Sequence, residues 1–172
     1  MQKPIFRTHG AATPTQETDP AAPGTVLLVS SSGGVILELM ALRPWWERHR
    51  PVWAAVRAPD TAALLEGQRC VRWLPDLAVS RLWRLPRALL AAALLVRRER
   101  PGLVVSAGSG PAVPFFLVAA VRGIPAFWIA TLNVDSPGIS ARICGRLASR
   151  VLVQREEQCP AYPGAVVLGE LY

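Results

Sequence analysis

Two short glycine-containing stretches carry the residue types best suited to holding an anion. Ser31-Ser32-Gly33-Gly34 and Ala107-Gly108-Ser109-Gly110 follow apolar runs of strand length, Thr25–Ser30 and Leu103–Ser106. Each leads directly into an apolar pattern with helical spacing. Small side chains leave backbone N–H groups approachable, glycine reaches positive φ, and the amide end of a helix favours negative charge. A phosphate or diphosphate is the ligand such loops would hold. With no ligand, the same residues make an ordinary strand-to-helix turn. Neither stretch has the Gly-x-Gly-x-x-Gly spacing of a dinucleotide site or the lysine of a phosphate loop. A third polar stretch, Thr131–Pro137, contains Asp135, a carboxylate able to take a proton from a hydroxyl. Asp135-Ser136-Pro137 also has the form of a helix N-cap.

Other reactive types are scattered. His9 and His49 have no partner His, Cys or paired carboxylate nearby and read as solvated histidines. Cys70, Cys144 and Cys159 lack Cys-x-x-Cys spacing, so they read as packed thiols of a reducing compartment; no metal site or cofactor is implied.

Elements must place the two loops at a common edge. Thr25–Ser30, Pro51–Val56, Val71–Leu74, Leu103–Ser106, Ala126–Ile129, Val151–Val153 and Ala165–Val167 read as strands. Helical patterns run over Val35–Arg43, from an Asp60 cap to about Leu65, from Pro86 towards Arg100, from Pro111 to Arg122, and over about Gly138–Ala148. Strands alternating with helices predict an α/β domain with a doubly wound parallel sheet. Ligands of such sheets bind beyond the carboxyl ends of the strands, where both glycine loops fall. Residues 1–23 are rich in Pro, Thr, Gln and Ala without apolar period and are expected to form a disordered tail; the domain is expected over 24–172. The chain stops soon after its last predicted strand, so one rim of the cleft is expected to be open or supplied by another chain.

The 172 residues carry a net charge of +7, contributed by 18 arginines and one lysine. Arginine suits planar, bidentate anions. The arginines are dispersed and no zinc-finger or RNA-binding signature occurs, which argues against nucleic acid. In Arg81–Arg100, Leu89, Ala93 and Val96 can face the sheet. Leu94 and Leu95 then point towards Arg84, Arg87 and Arg98, with Trp83 just before. Leucines flanked by arginines suit a helix lying on an anionic membrane; a buried crossover helix with solvated ends is the other reading. Ala88–Val96 and Pro111–Val121 fall short of the about 18 apolar residues a span needs, and no secretory signal opens the chain. A cytoplasmic, peripheral location is expected.

Five ordered stretches carry a resemblance. They are Val26–Gly34, Leu42-Arg43-Pro44-Trp45-Trp46-Glu47, Val104–Phe116, Asp135-Ser136-Pro137 and Leu152–Gln158. Over residues 25–172 the chain resembles the membrane-associated subunit of the split UDP-N-acetylglucosamine transferase of N-glycan assembly, and more closely its bacterial exopolysaccharide relatives. The resemblance implies the Rossmann-like N-terminal, acceptor-side half of a GT-B glycosyltransferase, similar to the acceptor domain of the peptidoglycan N-acetylglucosaminyltransferase. It implies a nucleotide-sugar-binding partner subunit and an acceptor sugar on a polyprenyl diphosphate, at the cytoplasmic face of the plasma membrane. Ser31, Ser32, Gly33, Gly34, Gly108, Ser109 and Gly110 would hold the acceptor. Trp83, Arg84, Arg87, Leu94, Leu95 and Arg98 would meet the membrane.

Two departures bear on catalysis. Relatives usually have His after the paired glycines, where Val35 stands, and often Glu after the fifth strand, where Ala130 stands. Neither valine nor alanine accepts a proton, which leaves Asp135 as the nearest carboxylate in a suitable loop. Glu156 and Glu157 match the family pattern and also suit a solvated helix start. The readings are therefore a transferase subunit, a degenerate scaffold binding partner and membrane, and a free-standing nucleotide-binding protein.

Overall fold

A computed structural model describes residues 24–75, 85–108, 110–132 and 137–171. Seven parallel strands form one sheet: β1 (Thr25–Ser30), β2 (Arg50–Val56), β3 (Val71–Leu74), β4 (Leu103–Ser106), β5 (Ala126–Ile129), β6 (Arg150–Val153) and β7 (Val166–Val167). Their order across the sheet is β3-β2-β1-β4-β5-β6-β7. The central strands are almost wholly apolar because helices cover both faces, so no residue alternates out to water.

Helices α1 (Gly34–Ala41), α2 (Arg43–Trp46) and α3 (Pro59–Leu64) lie on one face, and α4 (Leu85–Glu99), α5 (Ala112–Arg122) and α6 (Ile139–Leu147) on the other. On the first face Ile36, Leu39 and Trp46 pack over Leu28, Trp53 and Ile129. On the second, Ala92, Val96, Phe115, Phe116 and Cys144 pack over Leu27, Val52, Val104 and Trp128. The expected doubly wound α/β fold is present.

Three local differences from the sequence expectation have plain causes. The helix predicted over 35–43 breaks after Ala41, because Pro44 has no N–H to extend the ladder and instead opens α2. Pro111 is buried and stands just before α5 rather than within it. The last strand loses Ala165, whose N–H bonds back to Tyr162 O at 3.0 Å after the turn at Gly164, where φ is 78°.

β1 pairs with β2 on one side and β4 on the other, so the winding direction reverses between β1 and β4. Val29 lies opposite Ser106. The loops leaving β1 and β4 consequently diverge to opposite faces and leave a crevice between them.

Candidate functional site at the switch between β1 and β4

The β1 loop leaves the sheet at Ser30 and enters α1 at Gly34. Ser31 is half-buried, whereas Ser32, Gly33 and Gly34 are exposed. Gly33 has φ 78° and ψ −143°, a conformation that strains any residue bearing a Cβ. Its N–H donates to Asp60 Oδ2 at 2.7 Å. Asp60 was expected to cap α3. Instead it occupies the first turn of that helix and reaches the β1 loop, while Thr61 Oγ1 accepts the Ala58 N–H at 2.9 Å in the capping role. The Gly33 amide is the main cause holding the exposed Asp60 carboxyl below its ordinary value, with the Thr61 backbone next.

The β4 loop turns tightly. Ser106 Oγ donates to Val29 O at 2.8 Å, tying the two loops across the switch, and accepts the Gly108 N–H at 3.3 Å. Gly108 is buried with φ 137°. A Cβ there would stand 3.4 Å from Val35 Cγ2 and 3.5 Å from Thr131 Cγ2. The crevice thus brings together Gly33 and Gly34, Val35, Gly108 and the segment after β5. Gly110 follows at the entry to α5; Ser109 and Asp135 lie outside the described residues.

A buried polar cluster that sequence reasoning missed supports the segment after β5. Glu38, on α1, is 2% exposed. Its Oε1 accepts the Leu132 N–H at 3.3 Å and Gln154 Nε2 at 3.2 Å. Gln154 Nε2 also donates to Ala130 O at 3.1 Å, and Gln154 Oε1 accepts the Leu171 N–H at 3.3 Å. Gln158 donates to Thr131 O at 2.9 Å and accepts the Gln154 N–H at 2.9 Å. Two glutamines thereby fasten residues 130–132 to the β6 loop and the C-terminal segment. The available signal was Glu38 as the lone charge in the apolar run 35–42, with Gln154 and Gln158 four apart after β6.

Beside this cluster lies an open depression of about 610 Å³ among residues that follow β5, β6 and β7, including Leu132, Gln154, Glu157, Tyr162 and Glu170. Glu156 and Glu157 are exposed on the 3-10 helix Glu156–Ala161, and Glu170 is engaged by Arg155 at 2.7 Å. His49 is at the opposite edge, one residue before β2, with its ring 5.1 Å from the Trp45 ring, and His9 lies outside the described residues.

Of the expected membrane residues, Arg87, Leu94 and Arg98 are exposed on α4, and Trp83 and Arg84 lie outside the described residues. Leu95 is half-buried and packs against the core, contrary to the expectation that it points outward with Leu94. The outward pair is Leu90 and Leu94, one helical turn apart. No helix among the described residues is long and apolar enough to cross a membrane.

No family model matches the chain. Over 84 residues it is 30% identical to the UDP-N-acetylglucosamine–N-acetylmuramyl-(pentapeptide) pyrophosphoryl-undecaprenol N-acetylglucosamine transferase of Nitrosomonas eutropha, a match spanning 49% of this chain and 21% of that relative. Among solved structures, Acinetobacter baumannii MurG superposes with a TM-score of 0.71 at 20% identity, covering 86% of this chain and 45% of that one. Staphylococcus aureus MnaA, solved with UDP, gives 0.67 at 10% identity, covering 86% and 45%. The UDP-GlcNAc 2-epimerase of Methanocaldococcus jannaschii gives 0.65 at 13% identity, covering 85% and 45%. The chain spans under half the length of these proteins. Its fold is one Rossmann-like half of a GT-B architecture.

Proposed function

We propose that this chain is the N-terminal, acceptor-side half of a UDP-sugar-dependent glycosyltransferase, active once a nucleotide-sugar-binding subunit closes the cleft. The acceptor is a sugar on a polyprenyl diphosphate at the cytoplasmic face of the plasma membrane. The observation that carries this reading is the crevice between the β1 and β4 loops. It lies where doubly wound folds bind ligands, in a chain whose sequence likeness is to an enzyme named for a pyrophosphoryl-undecaprenol substrate. The crevice opens at the rim of the sheet, and a second half-domain facing that rim would complete a two-sided cleft.

The face formed by α4, α5 and α6 supports membrane attachment. Leu90, Leu94, Val121 and Ile139 are exposed there, among the exposed arginines 87, 97, 98, 122, 142 and 146. The single acidic residue of these three helices, Glu99, is buried. Exposed apolar and cationic side chains on helices without an exposed anion suit an anionic lipid surface both in hydrophobic and in electrostatic contribution.

A second reading, a scaffold that recruits its partner without contributing a catalytic group, is favoured by Val35 after the paired glycines and Ala130 after β5, neither of which can accept a proton. One experiment separates the two. The chain is co-expressed with a UDP-sugar-binding half-enzyme and given UDP-N-acetylglucosamine and polyprenyl lipids extracted from the host membrane. Sugar transfer to lipid by the complex, and by neither chain alone, is expected. A stable complex without turnover leaves the scaffold, and tight UDP-sugar binding by the isolated chain favours a free-standing nucleotide-binding protein.

A further inference from the structure

The structure assigns Gln158 as a positioning residue for acceptor binding: it fixes the segment after β5, which meets the loops after β1 and β4 at Gly108. This rests on the transferase reading above. Methyl groups of Val35 and Thr131 lie 3.4 and 3.5 Å from where a Cβ on Gly108 would stand, so the three loops converge there. Drift of Thr131 therefore changes the space at the buried turn of the β4 loop.

The segment cannot hold itself. β5 ends at Ile129, and the sheet ladder reaches one residue further, where the Ala130 N–H donates to Leu152 O at 2.8 Å. Among the described residues the next ties come from side chains. Glu38 accepts the Leu132 N–H at 3.3 Å, Gln154 donates to Ala130 O at 3.1 Å, and Gln158 Nε2 donates to Thr131 O at 2.9 Å. Glu38 and Gln154 have wider duties. They are buried and bonded to each other at 3.2 Å, and Gln154 Oε1 also accepts the Leu171 N–H, so a change at either disturbs the interior. Gln158 is only half-buried, and its donor acts on Thr131 itself. Its Oε1 accepts the Gln154 and Arg155 N–H groups at 2.9 and 3.2 Å and caps the 3-10 helix Glu156–Ala161. One side chain thus joins the start of that helix to the crevice wall, and its two ends have separable roles.

Each substitution removes a defined part of this arrangement. Ionised glutamate keeps an oxygen for the Gln154 and Arg155 N–H groups, as a capping box allows, but offers no donor to Thr131 O. Methionine, of similar volume, removes both ends. A wall that holds the acceptor equally before and during transfer contributes uniform binding, so its loss raises KM and spares kcat. On this reading the nucleotide sugar binds the partner subunit, and its own KM is untouched.

The test compares Gln158→Glu and Gln158→Met in the full chain co-expressed with the donor-side half. UDP-N-acetylglucosamine and host polyprenyl lipid are the substrates. Both variants are expected to raise the acceptor KM by at least about tenfold, with kcat and the UDP-N-acetylglucosamine KM changed by less than about threefold. Gln158→Glu is expected to keep the parental circular dichroism, Tm and partner co-purification, and Gln158→Met to lower Tm through loss of the cap. A parental acceptor KM in Gln158→Glu, with Gln158→Met alone impaired, makes Gln158 a helix cap and overturns the inference. Loss of kcat at unchanged acceptor KM also overturns it. Should Gln158→Glu fail to fold, Gln158→Met decides: a raised acceptor KM with kcat kept supports the inference, and a parental KM overturns it. If the parent complex transfers nothing, the transferase reading fails and the inference with it; a parental acceptor KM in variants of an active complex removes the inference alone.

Discussion

Gly34 and Gly108 look interchangeable as sequence, yet they bear different constraints. Gly108 has φ 137° and side chains from two other segments against its α-carbon, whereas a Cβ on Gly34 meets open space at the start of α1. Gly108→Ala should cost about 1–3 kcal/mol in urea unfolding followed by tryptophan fluorescence. Gly34→Ala should be neutral or stabilise by up to about 1 kcal/mol, because it restricts the unfolded chain without native strain. The Asp60–Gly33 contact makes a pH prediction at the same scale. A carboxyl whose folded-state pKa lies below its unfolded value contributes stability above the unfolded pKa and loses it as pH falls through the folded one. Parent and Asp60→Ala should therefore differ in Tm at neutral pH and converge in acid, below the ordinary carboxylate range. A parallel Tm profile for the two proteins across that window would contradict the contact. At the alkaline end, burial pushes the Cys144 thiol up to about 12, so its contribution is complete below about 9 and declines above it. Cys70 and Cys159 are half-buried, and they alone should react with a thiol reagent in the native state.

At the scale of elements, apolar runs of strand length located all seven strands, because the central strands of a sheet covered on both faces are almost wholly apolar. What local pattern could not give was which neighbour each residue meets. Asp60 fits an N-cap by sequence, but Thr61 fills that role, and the partner of Asp60 is 27 residues away. Glu38 and Gln154 are 116 positions apart and meet only because β5 and β6 pair beside α1. Helical spacing put Leu94 and Leu95 on one side of α4. The actual rotation of α4 on the sheet turns Leu95 inward and Leu90 outward, since Ala92, Val96 and Glu99 all seek the interior. This yields a discriminating pair of variants. Leu90→Glu with Leu94→Glu should leave Tm within a few degrees and weaken binding to vesicles containing anionic phospholipid by more than about tenfold, measured by co-sedimentation. Leu95→Glu should instead destabilise the fold, because it drives a charge into packed core.

At the scale of the whole molecule, the two edges of the sheet carry different groups. The carboxyl edge carries the glycine loops, Asp60 and the Glu38–Gln154–Gln158 cluster. The amino edge carries a charge cluster in which buried Glu99, at the end of α4, is approached by Arg72 at 3.1 Å, Arg50 at 3.4 Å and Arg98 at 3.6 Å. These pairs join α4 to β2 and β3, at the end of the sheet opposite the glycine loops. Each arginine is open to water and would contribute little alone, but all three share one carboxylate shielded from solvent. Glu99→Ala removes that carboxylate and leaves three guanidinium groups repelling one another. The expected loss is about 1–3 kcal/mol in urea unfolding, in the range of hydrogen bonds to charged groups. Turnover per folded complex should stay at the parental value, since no part of this cluster reaches the carboxyl edge. If Glu99→Ala abolished transfer in a protein that still folds and still binds its partner, the separation of the two edges would be wrong, and the charge cluster would have to be counted as part of the functional surface.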